Sequence, residues 1–509
     1  MNKAATRKSP VRRATKKPED SAAANPSSAH FCIAGIGASA GGLEAICQLF
    51  AAMPTDSNVA FVVVQHLYPT QKSLAAEIIG KHTAIPASNA EDGMRLVPGH
   101  IYTVPPNVYP SLRDGRLRLE PPDNATGPRL PIDHFLASLG DDQHERAIGV
   151  ILSGSGSDGS LGLKRIEANG GIVLAQQPET AQFGSMPHSA IETGLVHCVL
   201  PVADMPDYIC RYARHDYVLQ AKPATDEEAV PAGLAGILDL LQQRVDFDFA
   251  GYRRNTLVRR IRRRMGLRSI NELADYAAVL NADAQEVDVL FKDLLISVTE
   301  FFRDPEAWQD LAALAIKPLV DGKEPGDPIR IWVPGCASGE EAYTMAMLVL
   351  EQLRKAGKRC PLLVFATDVN EHSLQLARTG IYPSGITTRI RADCLRRYFV
   401  ESANDHHYQV SKSLRDVVVF GQQNLLSDPP FTRVDLICCR NLMIYLEADV
   451  QIKVIALFRF ALQPSAYLFL GSAEAVGKHA SAFTEVSKKW RIFQHTGGYL
   501  PGDAELPID

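Results

Sequence analysis

The sequence lacks the cysteine patterns of metal sites and of disulfide frameworks. Its nine cysteines include no CxxC pair, so we expect reduced thiols and no metal centre. It also lacks an apolar run of about 18 residues, and its charged N-terminus has no apolar signal-peptide core. These absences predict a cytoplasmic protein without a membrane span.

An excess of charge of either sign is also missing. The chain has 53 Lys and Arg against 58 Asp and Glu, which gives a formal net charge of −5. This balance argues against nucleic-acid binding along the whole chain. What the sequence does have is 46% hydrophobic residues over 509 positions, which is enough for large cores in more than one domain.

Short apolar runs alternate with helix-like stretches in two parts of the chain, whereas residues 231–295 have helical spacing only. This pattern predicts an α/β fold with two doubly wound, mainly parallel sheets and a small all-helical subdomain between them. The predicted divisions are a disordered basic tail (1–29), a first α/β domain (30–220), a polar linker (221–230), the helical subdomain (231–295), a second α/β domain (296–497) and a C-terminal tail (498–509).

Three polar residues follow predicted strands of the first α/β domain. Ser39 lies in a glycine turn before a helix, His66 ends the next strand, and Asp158 lies in the later loop LSGSGSDG. Because strand ends meet at one edge of a parallel sheet, these residues can form a nucleophile, a base and an orienting carboxylate. A dinucleotide loop fits less well, because the glycine spacing differs and the second strand ends in Gln65-His66 and not in an acidic residue. The G-x-S-x-G letters of an α/β-hydrolase elbow are present at 37–41, but that fold has several strands before its elbow and orders its triad Ser, acid, His.

The sequence around these residues resembles the catalytic domain of the chemotaxis-receptor glutamate methylesterase family (CheB) over about residues 31–200. The resemblance implies Ser39 as nucleophile, His66 as base and Asp158 as the residue that orients it, with glutamyl methyl ester hydrolysed to glutamate and methanol. Ser155 stands where the family usually has methionine. The matching blocks are IGASAGGLEA (36–45), VVVQHL (62–67), LVPGHIYTVPPN (96–107), GVILSGSGSDGSLGLKRI (149–166), GGIVLAQ (170–176) and GSMPHSA (184–190).

A second glycine loop, between Gly335 and Gly339, follows the strand-like run IRIWV. The next predicted strand ends at Asp368, where a carboxylate suits ribose hydroxyls. No G-x-G-x-x-G follows the IRIWV strand, so S-adenosylmethionine fits better than NAD. The run Asp428-Pro-Pro-Phe431 is similar to an amine-methylation motif, but it precedes the strand that such a motif should follow. A structural role for these glycines and for Asp368 as a helix cap is the alternative.

These residues belong to a longer stretch, 231 to about 497, that resembles the chemotaxis-receptor glutamate methyltransferase family (CheR). Ser297 replaces a usual asparagine, and Tyr445 is a candidate for the acceptor side. A glutamate carboxylate is already nucleophilic at neutral pH, so transfer needs alignment more than a base. The matching blocks are YRRNTLVRRIRRRM (252–265), SVTEFFRD (297–304), PGCASGEEAY (334–343), ATDVNEHSLQLARTGIY (366–382), QNLL (423–426) and CRNLMIYL (439–446). By resemblance the S-adenosylmethionine pocket comprises Thr299, Arg303, Glu340, Glu341, Asp368, Asn424, Leu425, Arg440 and Asn441.

Eight arginines lie between Arg253 and Arg268. Such a run is usually a solvated face, and the resemblance implies that it meets acidic receptor helices. The expected partner is a methyl-accepting chemotaxis-type receptor or a similar sensor, with two-component signalling proteins as further candidates. Nucleic acid is not expected, and membranes are reached only through receptors. The hypothesis is a fused methylesterase and methyltransferase; the alternatives are a catalytically degenerate scaffold or a nucleic-acid methyltransferase.

Overall fold

The computed structural model describes residues 31–66, 74–122, 129–219, 231, 233–402 and 407–497. The predicted tails and the 221–230 linker lie outside the described residues.

The first α/β half contains a sheet of seven strands in the order β3-β4-β2-β1-β7-β8-β9, all parallel. The hairpin β5–β6 forms a separate ribbon. The strands of this first half are β1 (Cys32–Ala38), β2 (Val59–Gln65), β3 (Ala87–Asn89), β4 (His100–Thr103), β5 (Tyr109–Arg113), β6 (Arg116–Glu120), β7 (Ala147–Ile151), β8 (Ile172–Gln176) and β9 (Cys198–Leu200). Its helices are α1 (Gly42–Ala51), α2 (Ala75–Gly80), α3 (Pro131–Gln143), α4 (Gly162–Ala168), α5 (Ser185–Glu192), α6 (Met205–Ala213) and α7 (Asp216–Leu219).

The central strand β1 is buried along its whole length, because helices cover both faces of the sheet. Its glycines allow one of these layers to pack closely. A Cβ at Gly35 would lie 2.7 Å from the Leu136 side chain of α3. The strand β1 ends at Ala38, so the chain leaves the sheet immediately before Ser39.

The middle of the chain is helical, as the sequence predicted. The helices share a core that includes Ile237, Ile261 and Leu290, each fully buried. They are α8 (Leu234–Val245), α9 (Arg254–Arg268), α10 (Leu273–Ala282) and α11 (Ala284–Leu294).

The second α/β half contains another seven-stranded sheet, ordered β15-β11-β10-β16-β17-β19-β18. Its first five strands are parallel, and the last two pair antiparallel. The strands β12, β14 and β13 form a small antiparallel sheet that the sequence did not predict. The strands are β10 (Ile329–Pro334), β11 (Leu362–Asp368), β12 (Ile381–Pro383), β13 (Phe399–Glu401), β14 (His407–Val410), β15 (Val418–Gln422), β16 (Val434–Cys439), β17 (Leu462–Leu470), β18 (Phe483–Ser487) and β19 (Ile492–His495). The helices are α12 (Pro305–Leu311), a π-helix (Ala312–Ile316), α13 (Lys317–Asp321), α14 (Glu340–Ala356), α15 (Glu371–Thr379), α16 (Ala392–Tyr398), α17 (Lys412–Arg415) and α18 (Ala448–Ala461).

All nine cysteines lie in the described part of the chain and are unpaired, which confirms the expectation of free thiols. Among the described helices, none is both long and apolar enough to cross a membrane.

Candidate active sites

The first candidate site is built on the turn between β1 and α1. Ser39 is half-buried there, and its backbone N–H donates to Ser153 O at 3.0 Å. Gly42 N donates to Ser39 O at 2.9 Å, which closes the turn. Gly41 has a φ of 69°, and a Cβ at this position would lie 2.4 Å from the side chain of Gln182. The turn therefore requires glycine at position 41 both for its conformation and for its packing.

The loop that follows β7 supports this turn from one side. Ser153 Oγ donates to Ala40 O at 3.0 Å, and Ser153 N donates to Gln176 Oε1 at 2.9 Å. Gly154 lies directly against the turn, since a Cβ there would be 3.0 Å from the Ser39 Cβ. Ser155, the departure from the methionine of the family pattern, is exposed in this loop. The backbone around Ser39 is thus held by the loop that carries Asp158.

His66 reaches the same edge of the sheet from the other side. Ala38 and Gln65 are partners in the β1–β2 register, so Ser39 and His66 are the first residues beyond two adjacent strand ends. His66 N donates to Ala38 O at 3.1 Å, and its exposed side chain lines a small groove with Tyr109 and Arg129. Among the described residues, no hydrogen bond joins the Ser39 hydroxyl to the His66 ring.

Asp158 is buried and accepts two backbone hydrogen bonds from the start of α3. The donors are Ile132 N at 3.1 Å and Asp133 N at 2.9 Å. In return, Asp133 accepts from Leu161 N and Gly162 N at the start of α4, at 2.8 and 2.7 Å. Burial, together with the repulsion between these two carboxyls, raises the pKa of Asp158. The two aspartates stabilise the beginnings of α3 and α4. Asp158 therefore affects the groove of His66 by holding α3 in place.

The chemistry that this arrangement allows is nucleophilic catalysis at Ser39. The N–H groups of Ala40 and Gly41 donate to no protein group among the described residues, and they precede the N-terminus of α1. Free N–H groups at a helix N-terminus can stabilise a developing oxyanion. The structure therefore brings Ser39 and His66 to adjacent strand ends, while Asp158 acts on helix ends rather than on the imidazole.

The second candidate site lies where β10 separates β11 from β16 in the second sheet. This is a position where the strand order reverses, and ligands of open α/β sheets bind at such points. A pocket there is lined by the glycine loop after β10, by Asp368 at the end of β11 and by residues after β16. Gly335 in this loop has a φ of 69°. The residues that line this pocket include Tyr252, Thr256, Ser297, Thr299, Arg303, Gly335, Ala337, Glu341, Asp368, Arg440, Asn441, Leu442 and Tyr445.

Asp368 fixes the glycine loop as well as lining the pocket. Its carboxylate accepts from Ala337 N and from Asn370 N, each at 2.8 Å. Burial raises the pKa of Asp368, although these backbone N–H groups oppose the shift. The N-cap of α15 is Asn370, whose side chain accepts from Ser373 N at 3.2 Å, so Asp368 is not the helix cap that the sequence offered as an alternative. Asp368 instead binds the N–H of that cap residue and the glycine loop, and it lines the pocket.

Glu341 and Arg440 form a buried pair beneath the pocket. Burial raises the pKa of Glu341, while the Arg440 guanidinium, 3.7 Å away, opposes the shift. Arg440 also donates to Arg303 O at 3.1 Å and to Asp304 Oδ2 at 2.7 Å. Its guanidinium lies 4.8 Å from the ring centre of Phe469, within cation–π range. Arg440 therefore ties the loop that carries Arg303 to the floor of the pocket.

Asn441 presents a polar atom that lacks a protein partner. Its side-chain oxygen is buried without a hydrogen bond among the described residues. Its backbone has a φ of 59°, a conformation that is uncommon for residues other than glycine. Glu474 holds this conformation by accepting from Asn441 N, Met443 N and Gly471 N at 3.1, 2.8 and 2.6 Å. Glu474 lies outside the matching blocks, so no sequence pattern indicated this role.

The loop between α11 and α12 forms another wall. Ser297, the residue that departs from the family's asparagine, accepts a hydrogen bond from Asn370 Nδ2 at 3.1 Å. Thr299 and Arg303 line the pocket from this loop. The Ser297 side chain thus contacts the N-cap residue of α15.

The residues present fit S-adenosylmethionine. The carboxylates of Asp368 and Glu341 and the unpaired oxygen of Asn441 suit a ligand with hydroxyl and ammonium donors, whereas the guanidinium of Arg303 suits the carboxylate of that ligand.

Three of the residues predicted for this pocket do not line it. Glu340 binds Lys164 and Ser338, Asn424 Oδ1 accepts from Leu426 N at 3.0 Å, and Leu425 packs against the core beneath the sheet.

The motif at 428–431 has a structural role. Phe431 stacks on Phe365 with ring centres 4.3 Å apart, and Asp428 accepts from Asn424 N at 2.8 Å. Neither residue lines the pocket, in agreement with the argument against amine methylation.

The arginine run of α9 differs from the sequence prediction of a solvated face. Arg260, Arg263 and Arg264 are 4%, 0% and 7% exposed. Arg260 and Arg263 bind Glu167 of α4, and Arg264 binds Glu286 of α11 at 2.7 Å. Arg260 and Arg263 therefore belong to a buried interface between the first α/β half and the helical subdomain, and Arg264 belongs to the interior of that subdomain. These three arginines are therefore not displayed to a receptor in this structure.

A cavity of about 660 Å³ lies between the two halves. It shares Tyr109 with the groove of His66, and it shares Thr299 and Arg303 with the second pocket. Ser157, next to Asp158, also contacts the second half, since its hydroxyl lies 2.8 Å from that of Ser384. Both candidate sites thus border the same interface.

The sequence matches three family models in this order along the chain. They are CheB methylesterase over residues 34–209, the all-alpha domain of CheR methyltransferase over 232–295, and the SAM-binding domain of CheR methyltransferase over 297–492. The last match identifies S-adenosylmethionine as the cofactor of the second half.

Curated relatives divide in the same way. An uncharacterized 104.1 kDa protein of Rhodobacter capsulatus is 36% identical over 85% of this chain, which spans 47% of that protein. A candidate methyltransferase of Pseudomonas putida, Cher3, is 30% identical over 53% of this chain and 99% of its own length. A candidate protein-glutamate methylesterase/protein-glutamine glutaminase of Leptospira interrogans is 32% identical over 35% of this chain and 92% of its own length. The chain therefore belongs to the CheB methylesterase family through its first half and to the CheR methyltransferase family through the remainder.

Proposed function

We propose that the chain carries out two opposing reactions on protein glutamates, methyl ester hydrolysis in its first half and methyl transfer from S-adenosylmethionine in its second. The observation that carries this proposal is that each half places its polar residues at a point where the strand order of its sheet reverses. Both family matches support the same pair of reactions.

In the hydrolytic reaction, Ser39 Oγ attacks the ester carbonyl carbon and passes its proton to His66. The N–H groups of Ala40 and Gly41 stabilise the oxyanion as the carbonyl bond becomes single. His66 then protonates the departing methoxide to give methanol, and water releases glutamate from Ser39 in a second, analogous step. Asp158 positions the beginning of α3, and thereby the wall of the groove in which His66 lies.

In the transfer reaction, bound S-adenosylmethionine supplies an electrophilic methyl group on sulfur. Asp368 would bind the ribose, Arg303 would bind the amino-acid carboxylate, and Glu341 with Asn441 would bind the ammonium group. The acceptor glutamate is ionised at neutral pH, so the protein needs to align it and exclude water rather than remove a proton. Tyr445, which lines the pocket, is proposed to border the acceptor.

The proposed substrate is a chemotaxis-type receptor or a similar sensor, because the chain belongs to families named for chemotaxis methylation. A cytoplasmic location belongs to the same proposal, as do two-component signalling proteins as further partners. Nucleic acid is not a proposed substrate, since the α9 arginines that could meet phosphates are in part buried against Glu167.

Two variants test the two halves separately. Ser39→Ala should lower methanol release from methylated, receptor-rich membranes by about 10³-fold or more, because the nucleophile is lost. Asp368→Ala should weaken S-adenosylmethionine binding by about tenfold or more in calorimetry, because a ribose contact and a loop contact are lost together. Ser402→Ala and Asp288→Ala, both at exposed positions, are the matched controls. Wild-type protein that binds the donor but releases no methanol and transfers no methyl group would support the scaffold alternative.

A further inference from the structure

The short helix α4 of the methylesterase half reaches across to the methyl-donor pocket. Lys164, in its first turn, donates from Nζ to Thr299 O at 2.9 Å and to Glu340 Oε1 at 2.8 Å. Thr299 lines the donor pocket, and Glu340 begins α14, which follows its glycine loop. One cation of the first half therefore joins two elements of the second half's pocket.

The ion pair with Glu340 is shielded from water. The side chain of Glu340 is 2% exposed and that of Lys164 is 19% exposed. The second carboxylate oxygen of Glu340 accepts from Ser338 Oγ at 2.6 Å, so each oxygen has a donor. Removal of one partner from such a pair leaves a buried charge without compensation, which is strongly unfavourable.

The segment that Lys164 holds is a loop, which Arg440 also supports at Arg303 and Asp304. Residues 295–304 lie outside helices and strands apart from turns, and Phe302 and Asp304 have φ values of 51° and 57°. Such backbone conformations persist only where surrounding contacts hold them. Phe302 N donates to Thr344 Oγ1 at 3.3 Å, while the carbonyl of Thr299 is held by Lys164.

The other end of α4 contacts a second wall of the pocket. Glu167, three residues after Lys164, binds Arg260 and Arg263 of α9. The same helix, α9, contributes Thr256 to the pocket lining. The first half thus braces the pocket on two sides through two oppositely charged residues of one helix.

We propose that Lys164 is a positioning residue for methyl transfer, so that the methylesterase half completes the S-adenosylmethionine site of the methyltransferase half. This inference rests on the proposed transferase function. It differs from the sequence expectation for Glu340, since this carboxylate acts through Lys164 on the pocket wall and not on the ligand.

The test is calorimetric titration of the full-length chain with S-adenosylmethionine. Lys164→Met should raise Kd about tenfold, and Lys164→Arg should restore it to within about threefold of wild type. The matched control is Arg165→Met, which removes the neighbouring cation of α4; that arginine pairs with Asp141 inside its own half. We expect this control to leave Kd within about twofold. With receptor as acceptor, Lys164→Met should raise KM for the donor and retain most of kcat at saturation, which a general loss of folded protein would not do.

An unchanged Kd in Lys164→Met would overturn the inference, as would an equal loss in Arg165→Met. If the methionine variant does not fold, Lys164→Gln keeps a hydrogen-bond donor without the charge and should show an intermediate Kd; a wild-type value would be contrary evidence. Wild-type protein that fails to bind the donor would remove the proposed transferase function, whereas binding unaffected by position 164 would remove this inference alone.

Discussion

Buried carboxylates hold the loops of both sites. Asp158 binds N–H groups of α3, and Asp368 binds N–H groups on either side of the second pocket. Glu474 binds two N–H groups from the loop after β16 and one at the end of β17. A carboxylate oxygen is a strong acceptor in a buried setting, so one side chain can stabilise several backbone groups in uncommon conformations. These residues stabilise loops whose neighbouring side chains are proposed to meet substrate or cofactor.

Glu474→Gln should therefore distort the second pocket. The amide presents an NH2 group to N–H donors in place of an oxygen, which leaves buried donors unsatisfied at a cost of about 1–3 kcal/mol. Because these donors include Asn441 N, we expect weaker S-adenosylmethionine binding together with lower stability to urea. Glu485→Gln at an exposed position of β18 is the control, and equal behaviour of the two variants would count against the role of Glu474.

Glu340 and Lys164 should act on the donor through one contact. In a double-mutant cycle with Lys164→Met and Glu340→Gln, the losses of S-adenosylmethionine affinity should be strongly non-additive. If Glu340 instead contacts S-adenosylmethionine directly, as the family resemblance implied, the two losses of affinity should add. Calorimetry on the four proteins distinguishes these outcomes.

Sequence patterns located the residues that directly follow strands, and they failed for residues whose roles depend on packing. Ser39, His66 and Asp368 all follow or end parallel strands, so the sheet itself determines where they lie. The neighbours Glu340 and Glu341 are alike in sequence, yet only Glu341 lines the pocket. The partner of Glu340 is Lys164, 176 residues earlier in the chain, which no local pattern could indicate.

At the scale of elements, helices α4 and α9 form the contact that joins the two halves. Glu167 binds both Arg260 and Arg263, and Asp293 binds Arg263, in a setting nearly closed to water. Burial disfavours ionisation of Glu167, but the two arginines outweigh it and lower the pKa of Glu167. The pKa of Asp293 is lowered in the same way, with Arg263 as the main cation. The arginine run was predicted as a surface because its partners come from distant segments.

This interface should weaken in acid. A carboxyl whose pKa is lowered on folding contributes stability that is complete above its unfolded pKa, near 4.5 for Glu167, and lost as pH falls through the folded value. Glu167→Gln should lower stability at neutral pH by about 3–5 kcal/mol, because arginines are left buried. The Glu167→Gln variant should also lose less stability than wild type when the pH falls from about 5 to about 3. Urea unfolding at several pH values measures both effects, and an unchanged pH dependence in the variant would contradict them.

The parallel cores of both sheets were predictable because their strands are continuous apolar runs. Shorter elements were not. The strands of the β12–β14–β13 sheet are three or four residues long, and each has one buried residue. Such strands carry no clear alternation, so their pairing depends on contacts with α14 to α16 and not on their own sequence.

At the scale of the molecule, two opposing activities are joined by an interface that touches both sites. The segment from Ser157 to Glu167 carries Asp158, contacts Ser384, supports Thr299 through Lys164 and binds the arginines of α9. A conformational change at this segment would reach both pockets. The central claim is therefore that one chain both adds and removes methyl groups, with its two sites in contact through α4.

The measurement that tests this claim most directly follows tritium from labelled S-adenosylmethionine in receptor-rich membranes, as protein-bound label and as released methanol. Wild type should release labelled methanol continuously, because each ester formed becomes a substrate for the first site. Ser39→Ala should accumulate protein-bound label with little methanol, and Asp368→Ala should yield little of either. Label that accumulates equally in wild type and Ser39→Ala, or its absence from protein and methanol in every variant, would contradict the account.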